Sequence, residues 1–268
     1  MDPLALLPYA LAAGGGRVGP YETTTLVAAG LTLLQRCAPL VRALSGKRAG
    51  VLLPDGPEWI VALAASEGRG AVVLDPLVLR DDLVTHITNY RIGAIFTKSA
   101  LAERLPVGIP HVLLDEAPTR VHVIAGDRTT TIDLGSHFGL DLAGDSSVDG
   151  ANEECLLYAA SGTAITHWQL LADARRCMEL HQFTPVDCTL TLAPLSDLDT
   201  LPCGVLAPLL AGGRLHLSPA AVSSSTALMD FHPPLTMIVG HEAALDAVRH
   251  VDALSSGQIE TIMLTPRS

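Results

Sequence analysis

The chain has 268 residues, of which 49% are apolar and 17% charged, with a net charge of −11. That length and hydrophobicity suit one large or two small domains around a buried core and exclude general disorder. The acidity, with only two lysines (Lys47 and Lys98), excludes nucleic acid and anionic membrane as partners, since both need a cationic face. Its plain reading is solubility. No apolar run reaches the ~18 residues of a membrane span, and Met1-Asp2-Pro3 lacks the basic start of a signal peptide. The five cysteines (Cys37, Cys155, Cys177, Cys188, Cys203) are odd in number and form no C-x-x-C pair. They read as free thiols of a reducing cytoplasm, not as a zinc site or a disulfide framework. Aromatics are 4%, so the core must be Leu, Val, Ile and Ala, which suits helices packed on a parallel sheet.

In chain order, Leu26 to Leu44 has helical apolar spacing with threonines before it as caps, and Pro39 should kink or end it. Ala49 to Pro54 reads as a buried strand and Asp55-Gly56-Pro57 as a turn. Pro57 to Glu67 follows as a helix with proline in its first turn. Gly70 to Asp75 is a second strand, Asp81 to Tyr90 a helix, and Gly93 to Thr97 a third strand. Weaker strand patterns cover His111 to Leu114, Val121 to Ile124 and Thr129 to Leu134. Gly135 to Gly150, rich in Gly, Asp and Ser, reads as a linker.

The second half repeats the alternation. Glu154 to Tyr158, Thr189 to Leu192, Gly213 to Leu217, Thr236 to Val239 and Gln258 to Leu264 read as strands. Between them lie helices over Thr166 to Phe183, Asp199 to Leu210 (broken by Pro202 and Pro208), Ser223 to Phe231 and Glu242 to Val251. Thr166-x-x-Gln169 has capping-box spacing. Strand–helix alternation of this kind indicates parallel, right-handed α/β sheets. The expected organisation is a first α/β subdomain over 1–134, a linker over 135–150 and a second α/β subdomain over 151–268.

One short stretch carries the strongest chemical signal. After the strand ending at Tyr158 come Ser161-Gly162-Thr163, with a helix expected almost at once. Small residues between a strand and a helix suit an anion site, because backbone N–H groups and the helix N-terminus converge there. No lysine and no second glycine follow. Other constellations weigh less. Ser161 with His167 lacks the G-x-S-x-G elbow and an orienting acid. Asp197-x-Asp199 before a helix reads as a cap and a first-turn acid more readily than as a metal seat. The ten histidines show no zinc spacing, and no metal site is expected. Trp59 and Trp168 read as packing residues, and Gly212-Gly213 as a helix C-cap before a strand.

Taken together, these segments resemble the N-terminal domain of the adenylate-forming superfamily: acyl-CoA synthetases, peptide-synthetase adenylation domains and luciferases. Gly50-Val-Leu-Leu-Pro-Asp-Gly-Pro-Glu-Trp-Ile-Val-Ala-Leu-Ala-Ala and Gly70-Ala-Val-Val-Leu-Asp-Pro-Leu77 are similar to the family's "valLLPNsPEfvvallAalraGAvvvPLdPll". Leu192-Ala-Pro-Leu195 and Leu206-Ala-Pro-Leu-Leu-Ala-Gly-Gly-Arg-Leu-His-Leu217 look like "LplfHxxGlxxgvLaPLlaGGrvvL". The resemblance implies an α/β fold of two stacked-type subdomains, with mostly parallel sheets flanked by helices.

The departures are as informative. The family's phosphate loop, Y-T-S-G-S/T-T-G-x-P-K-G, is matched at Tyr158 and Ser161-Gly162-Thr163, and its following helix at Ile165-Thr-His-Trp-Gln. The segment equivalent to T-G-x-P-K-G is missing between them. Ser196-Asp197 stands at the family's aromatic-plus-histidine position. The chain stops at Thr265-Pro-Arg-Ser268, before the family's Y-G-x-T-E and T-G-D motifs and its C-terminal lysine. By resemblance, Ser161, Gly162 and Thr163 are the remnant of a phosphate site, and Tyr158, His167, Ser196 and Asp197 would line a pocket. What this implies is a truncated, degenerate AMP-binding domain without adenylation of its own and without catalytic residues. It would be retained to bind a protein partner (a second copy, or a full-length or complementary synthetase) or a small acyl or nucleotide ligand. The alternative is one part of a split adenylate-forming ligase, for which alone ATP or AMP and magnesium are implied.

Overall fold

The computed structural model describes residues 7–66, 70–135, 154–217, 234–248 and 259–264. The chain forms two compact units, each with its own sheet. Residues 136–150 of the expected 135–150 linker and the helix over Ser223 to Phe231 lie outside the described residues.

The first unit comprises residues 1–10, 24–54 and 58–169. Its sheet is built on β3 (Arg48–Leu52), β4 (Ala71–Val73), β5 (Ile92–Thr97), β6 (His111–Leu113), β7 (Arg120–Ala125), β8 (Arg128–Asp133), β9 (Glu154–Tyr158) and β10 (Thr163–Thr166). The strand order is β10-β9-β4-β3-β5-β6-β7-β8. β9, β4, β3, β5 and β6 run parallel, while β10, β7 and β8 add on antiparallel. Every residue of β4 and β5 is buried, as strands covered on both faces require. β8, at the margin, exposes all its residues but Ile132. Arg48 and Glu154 pair at 2.8 Å, joining the first residues of β3 and β9.

Helix α2 (Thr23–Arg36) stops at Cys37 and α3 (Ala38–Ala43) restarts with Pro39 in its first turn. Proline has no N–H for an intrahelical bond, so the expected single helix becomes two. α4 (Glu58–Ala65) is buried along its whole length, with the Glu58 carboxylate 2.8 Å from Lys98 Nζ. α5 (Arg80–Asn89) and α6 (Ser99–Ala102) complete the described helices within this unit.

The second unit comprises residues 11–23, 55–57 and 170–268. Its sheet has the order β14-β13-β11-β12-β1-β2. The strands are β1 (Arg17–Val18), β2 (Tyr21–Glu22), β11 (Cys188–Thr191), β12 (Arg214–Leu217), β13 (Met237–Gly240) and β14 (Glu260–Met263). All pairings are parallel except β1 with β2. Between β11 and β12 the chain makes a π-helix (Leu201–Leu206) that runs into α8 (Ala207–Leu210). Pro202 and Pro208 account for the interruption, and every residue from Leu201 to Leu210 is buried. Gly212, at φ 84°, ends α8 in the left-handed region that glycine adopts freely, as the Gly212-Gly213 pair predicts. α9 (Glu242–Val248) follows β13.

The boundary of the units differs from the sequence-based division at 134 and 151. β9 and β10 belong to the first unit, because β9 hydrogen-bonds to β4 with Ala71 opposite Leu156. Residues 17–22 reach the second unit by pairing with β12. Strand–helix alternation predicts parallel strands but does not encode which sheet a strand joins. The first described helix, α1 (Leu7–Gly14), and the two-residue strands β1 and β2 have no counterpart among the sequence expectations.

Candidate functional site

The Ser-Gly-Thr remnant is a hairpin turn. β9 and β10 pair antiparallel with Tyr158 opposite Thr163, and residues 159–162 close the turn. Gly162 N–H donates to the Tyr158 carbonyl at 2.8 Å, and Gly162 takes φ 70°. Ser161 Oγ donates to Thr163 Oγ1 at 2.9 Å and accepts from Thr163 N–H at 3.2 Å. Tyr90 OH donates to the Ala159 carbonyl at 3.2 Å. An anion nest needs convergent, unspent N–H groups, and here those of Gly162 and Thr163 already have acceptors. Nor does a helix open at the loop, because β10 intervenes before α7 (His167–His181). The N-terminus of α7 closes on itself through the predicted capping box. Thr166 N–H donates to Gln169 Oε1 at 2.9 Å and Gln169 N–H to Thr166 Oγ1 at 3.2 Å.

Tyr158 and His167 are core residues of the first unit, 2% and 3% exposed. His167 Nδ1 accepts the Leu7 N–H at 3.0 Å, so it caps the first turn of α1. Burial holds its pKa down at about 4, which keeps the ring neutral and able to accept. Ser161 bonds to Thr163 and not to His167, so the two do not form a nucleophile–base pair. Of the tryptophans, Trp59 is buried as expected, whereas Trp168 is 47% exposed on α7 and is not a core residue.

In the second unit, Ser196 and Asp197 are half-buried on the segment that leaves the carboxyl end of β11. Ligands of parallel α/β sheets gather at this end of the strands. Asp197 Oδ2 lies 3.0 Å from His241 Nε2, and His241 Nδ1 lies 3.4 Å from the Leu264 carbonyl. His241 and Leu264 immediately follow β13 and β14. A neutral imidazole has one N–H for these two acceptors, whereas the imidazolium serves both. Asp55 joins them: its Oδ1 accepts the Leu195 N–H at 2.9 Å. Burial raises the Asp55 pKa to about 6, the Leu195 N–H opposes this, and the Asp197 charge adds to it.

Asp197 is thus paired with His241, and Asp55 is near enough for the two carboxylates to feel each other's charge. Sequence reasoning found Asp197 and missed Asp55 and His241. Asp55 looked like a turn residue, and the only local mark on His241 is its place between a strand and a helix. Among the described residues, no group of three metal-ligating side chains is brought together.

A cleft of about 390 Å³ lies at the opposite end of the second unit's strands, lined in part by His181, Gln182, Asp187 and Glu260. Its main polar groups are committed. Asp187 accepts from Thr184 N–H and Oγ1, both at 2.7 Å, and from Thr236 Oγ1 at 2.9 Å, while His181 faces Glu260 at 3.5 Å.

No family model and no curated protein matches the chain. Solved structures do. Apo MatB from Rhodopseudomonas palustris superposes with a TM-score of 0.66 at 16% identity, over 97% of this chain and 54% of that one. A benzoate CoA ligase from Burkholderia xenovorans gives 0.64 at 17% identity, over 93% and 53%. The nonribosomal peptide synthetase FmoA3 gives 0.66 at 17% identity, over 91% of this chain and 26% of that one. The chain thus spans about half of MatB and of the benzoate CoA ligase and about a quarter of the synthetase. Among the described residues no helix is long and apolar enough to cross a membrane. Two mostly parallel sheets flanked by helices, superposing on these structures over nearly all of the chain, give this protein the N-terminal adenylate-forming fold.

Proposed function

We propose that this chain is an adenylate-forming fold that does not form acyl-adenylates by itself and is kept for binding. The observation that carries the reading is the closed hairpin at 159–162. Adenylation needs a cradle for the triphosphate and a cation on the developing charge. Here the Gly162 N–H is spent on the Tyr158 carbonyl and the Thr163 N–H on Ser161 Oγ. Neither lysine lies in it, and Lys98 is paired with Glu58. Loss of one charge-stabilising donor costs ~10²–10³ in rate, and the whole cradle is affected.

The face offered for binding is the carboxyl end of the second sheet. Asp55 and Asp197 make it acidic, so it favours a small ligand presenting hydrogen-bond donors over a bare phosphate. The test is ATP-dependent pyrophosphate release by the purified chain with a panel of carboxylic acids, beside calorimetric titration with ATP, AMP and an acyl-adenylate analogue. Pyrophosphate release would refute the reading. Absence of heat with every ligand would remove small-molecule binding and leave a protein partner.

The split-ligase reading draws on one observation. Among the described residues β14 ends its sheet, with Met263 47% exposed, and an open edge strand accepts another chain. A complementary synthetase chain that restores pyrophosphate release on mixing would establish it. A homodimer found by light scattering would assign that edge to a second copy.

A further inference from the structure

Four of the five cysteines are buried, and two of the five meet. Cys177, half-buried towards the C-terminal end of α7, and Cys203, 5% exposed in the π-helix, have hydrogen-bonded thiols. Both pack in one apolar cluster with Phe183, Met237 and Val239. Cys37, Cys155 and Cys188 are buried, with thiols pushed upward chiefly by burial. Such thiols are poor nucleophiles, and Cys203, raised by its hydrogen bond with Cys177 and by burial, cannot lead an attack either.

We infer that Cys177 and Cys203 form a dithiol site that a small disulfide oxidant closes into a reversible bridge between α7 and the π-helix. Hydrogen-bonded thiols must still draw together to reach the ~2.05 Å of an S–S bond. The wider turn of a π-helix is a natural place for that adjustment. Exposure sets the order of events. Cys177 is the thiol that solvent reaches, and Cys203 keeps its proton in the hydrogen bond while Cys177 attacks.

The Cys177 thiolate attacks one sulfur of glutathione disulfide, the S–S bond breaks, and one glutathione leaves as thiolate. Cys203 then gives its proton to that thiolate or to water. It attacks Cys177 Sγ in the mixed disulfide and expels the second glutathione. Two protein thiols are oxidised to one disulfide and one glutathione disulfide is reduced to two thiols, a balanced two-electron exchange. Excess reduced glutathione reverses it. The bridge would clamp the π-helix, which directly follows the segment carrying Asp197.

The experiment equilibrates the native full chain with oxidised glutathione, blocks free thiols under denaturing conditions, and measures intact mass and peptide linkage. The expected result is loss of two hydrogens with no retained glutathione, a fall in alkylatable thiols from five to three, a linked Cys177–Cys203 peptide pair, and full reversal by dithiothreitol. Cys203→Ser should stop at a stable glutathione adduct on Cys177. Cys177→Ser should take up neither adduct nor bridge. Five alkylatable thiols after oxidation, a wild-type product that stops at the glutathione adduct, or a bridge involving any other cysteine would overturn the inference. The peptide map of the wild type decides the matter even if a serine variant folds poorly.

Discussion

His167 lies at a place where resemblance points to the nucleotide, yet its ring faces the backbone of α1. The Leu7 N–H is one of the first N–H groups of that helix, which have no intrahelical acceptor. The neutral Nδ1 lone pair satisfies it. A protonated ring would lose that lone pair and set a positive charge at the positive end of the helix dipole. The folded pKa of about 4 lies below the ordinary 6.5, so the contribution to stability is present above pH 6.5 and is lost as pH falls towards 4. Its full size is about 3 kcal/mol. His167→Asn should lower stability at pH 8 by about 1–3 kcal/mol by disturbing a buried hydrogen bond. It should also change less than the wild type between pH 6.5 and 4. Urea unfolding at fixed pH values measures both. Sequence inspection could place His167 at the start of a helix, but its partner is a backbone group 160 residues away, for which no local pattern exists.

At the scale of elements, the hairpin is where sequence and structure part most instructively. Glu154 to Tyr158 is apolar and β-forming, and it reads correctly as a strand. Thr163–Thr166 is short, and only Ile165 in it is buried, so it shows no apolar run to detect. Its identity as a strand comes from pairing with β9, and pairing carries no signal in so short and polar a segment. The Thr166–Gln169 box, by contrast, is local chemistry at fixed spacing, and it forms as read.

The turn depends on Gly162. At φ 70° an L side chain is strained, although the nearest described atom to an added Cβ, Tyr90 OH, is 3.9 Å away. Backbone strain and not crowding therefore sets the cost. Gly162→Ala should destabilise the hairpin by about 1 kcal/mol. Amide exchange should report this as faster opening of β9 and β10, with β3 and β5 unchanged. Equal acceleration of all four strands would show that the turn is not a local hinge.

For the whole molecule, the parallel sheets were legible because buried strands such as Ile92–Thr97 are continuous apolar runs. The division into units was not, because residues 17–22 find their partners in β12. That division gives the molecule opposite pH responses in its two units. His167 belongs to the first and Asp55 to the second. Asp55 has its pKa raised from 3.8 to about 6. Stability is therefore fully present below pH 3.8 and is lost as pH rises through 6. After allowance for partial exposure the loss is about 1–2 kcal/mol. His167 acts over nearly the same window with the opposite sign, so acidification from pH 6.5 to 4 weakens the first unit and strengthens the second. A single global melt would show the two effects partly cancelling. Amide exchange followed by mass spectrometry, corrected for the intrinsic pH dependence of exchange, separates them by peptide. Asp55→Asn keeps an oxygen for the Leu195 N–H, and asparagine is the residue the resembling "LLPN" pattern carries at this position. The variant should be more stable than the wild type at pH 8 and should remove the acid-side gain from second-unit peptides. The trend of first-unit peptides should stay as it is. If Asp55→Asn instead costs stability at pH 8, the Asp55 carboxylate is held by a favourable partner and its raised pKa does not describe the folded chain.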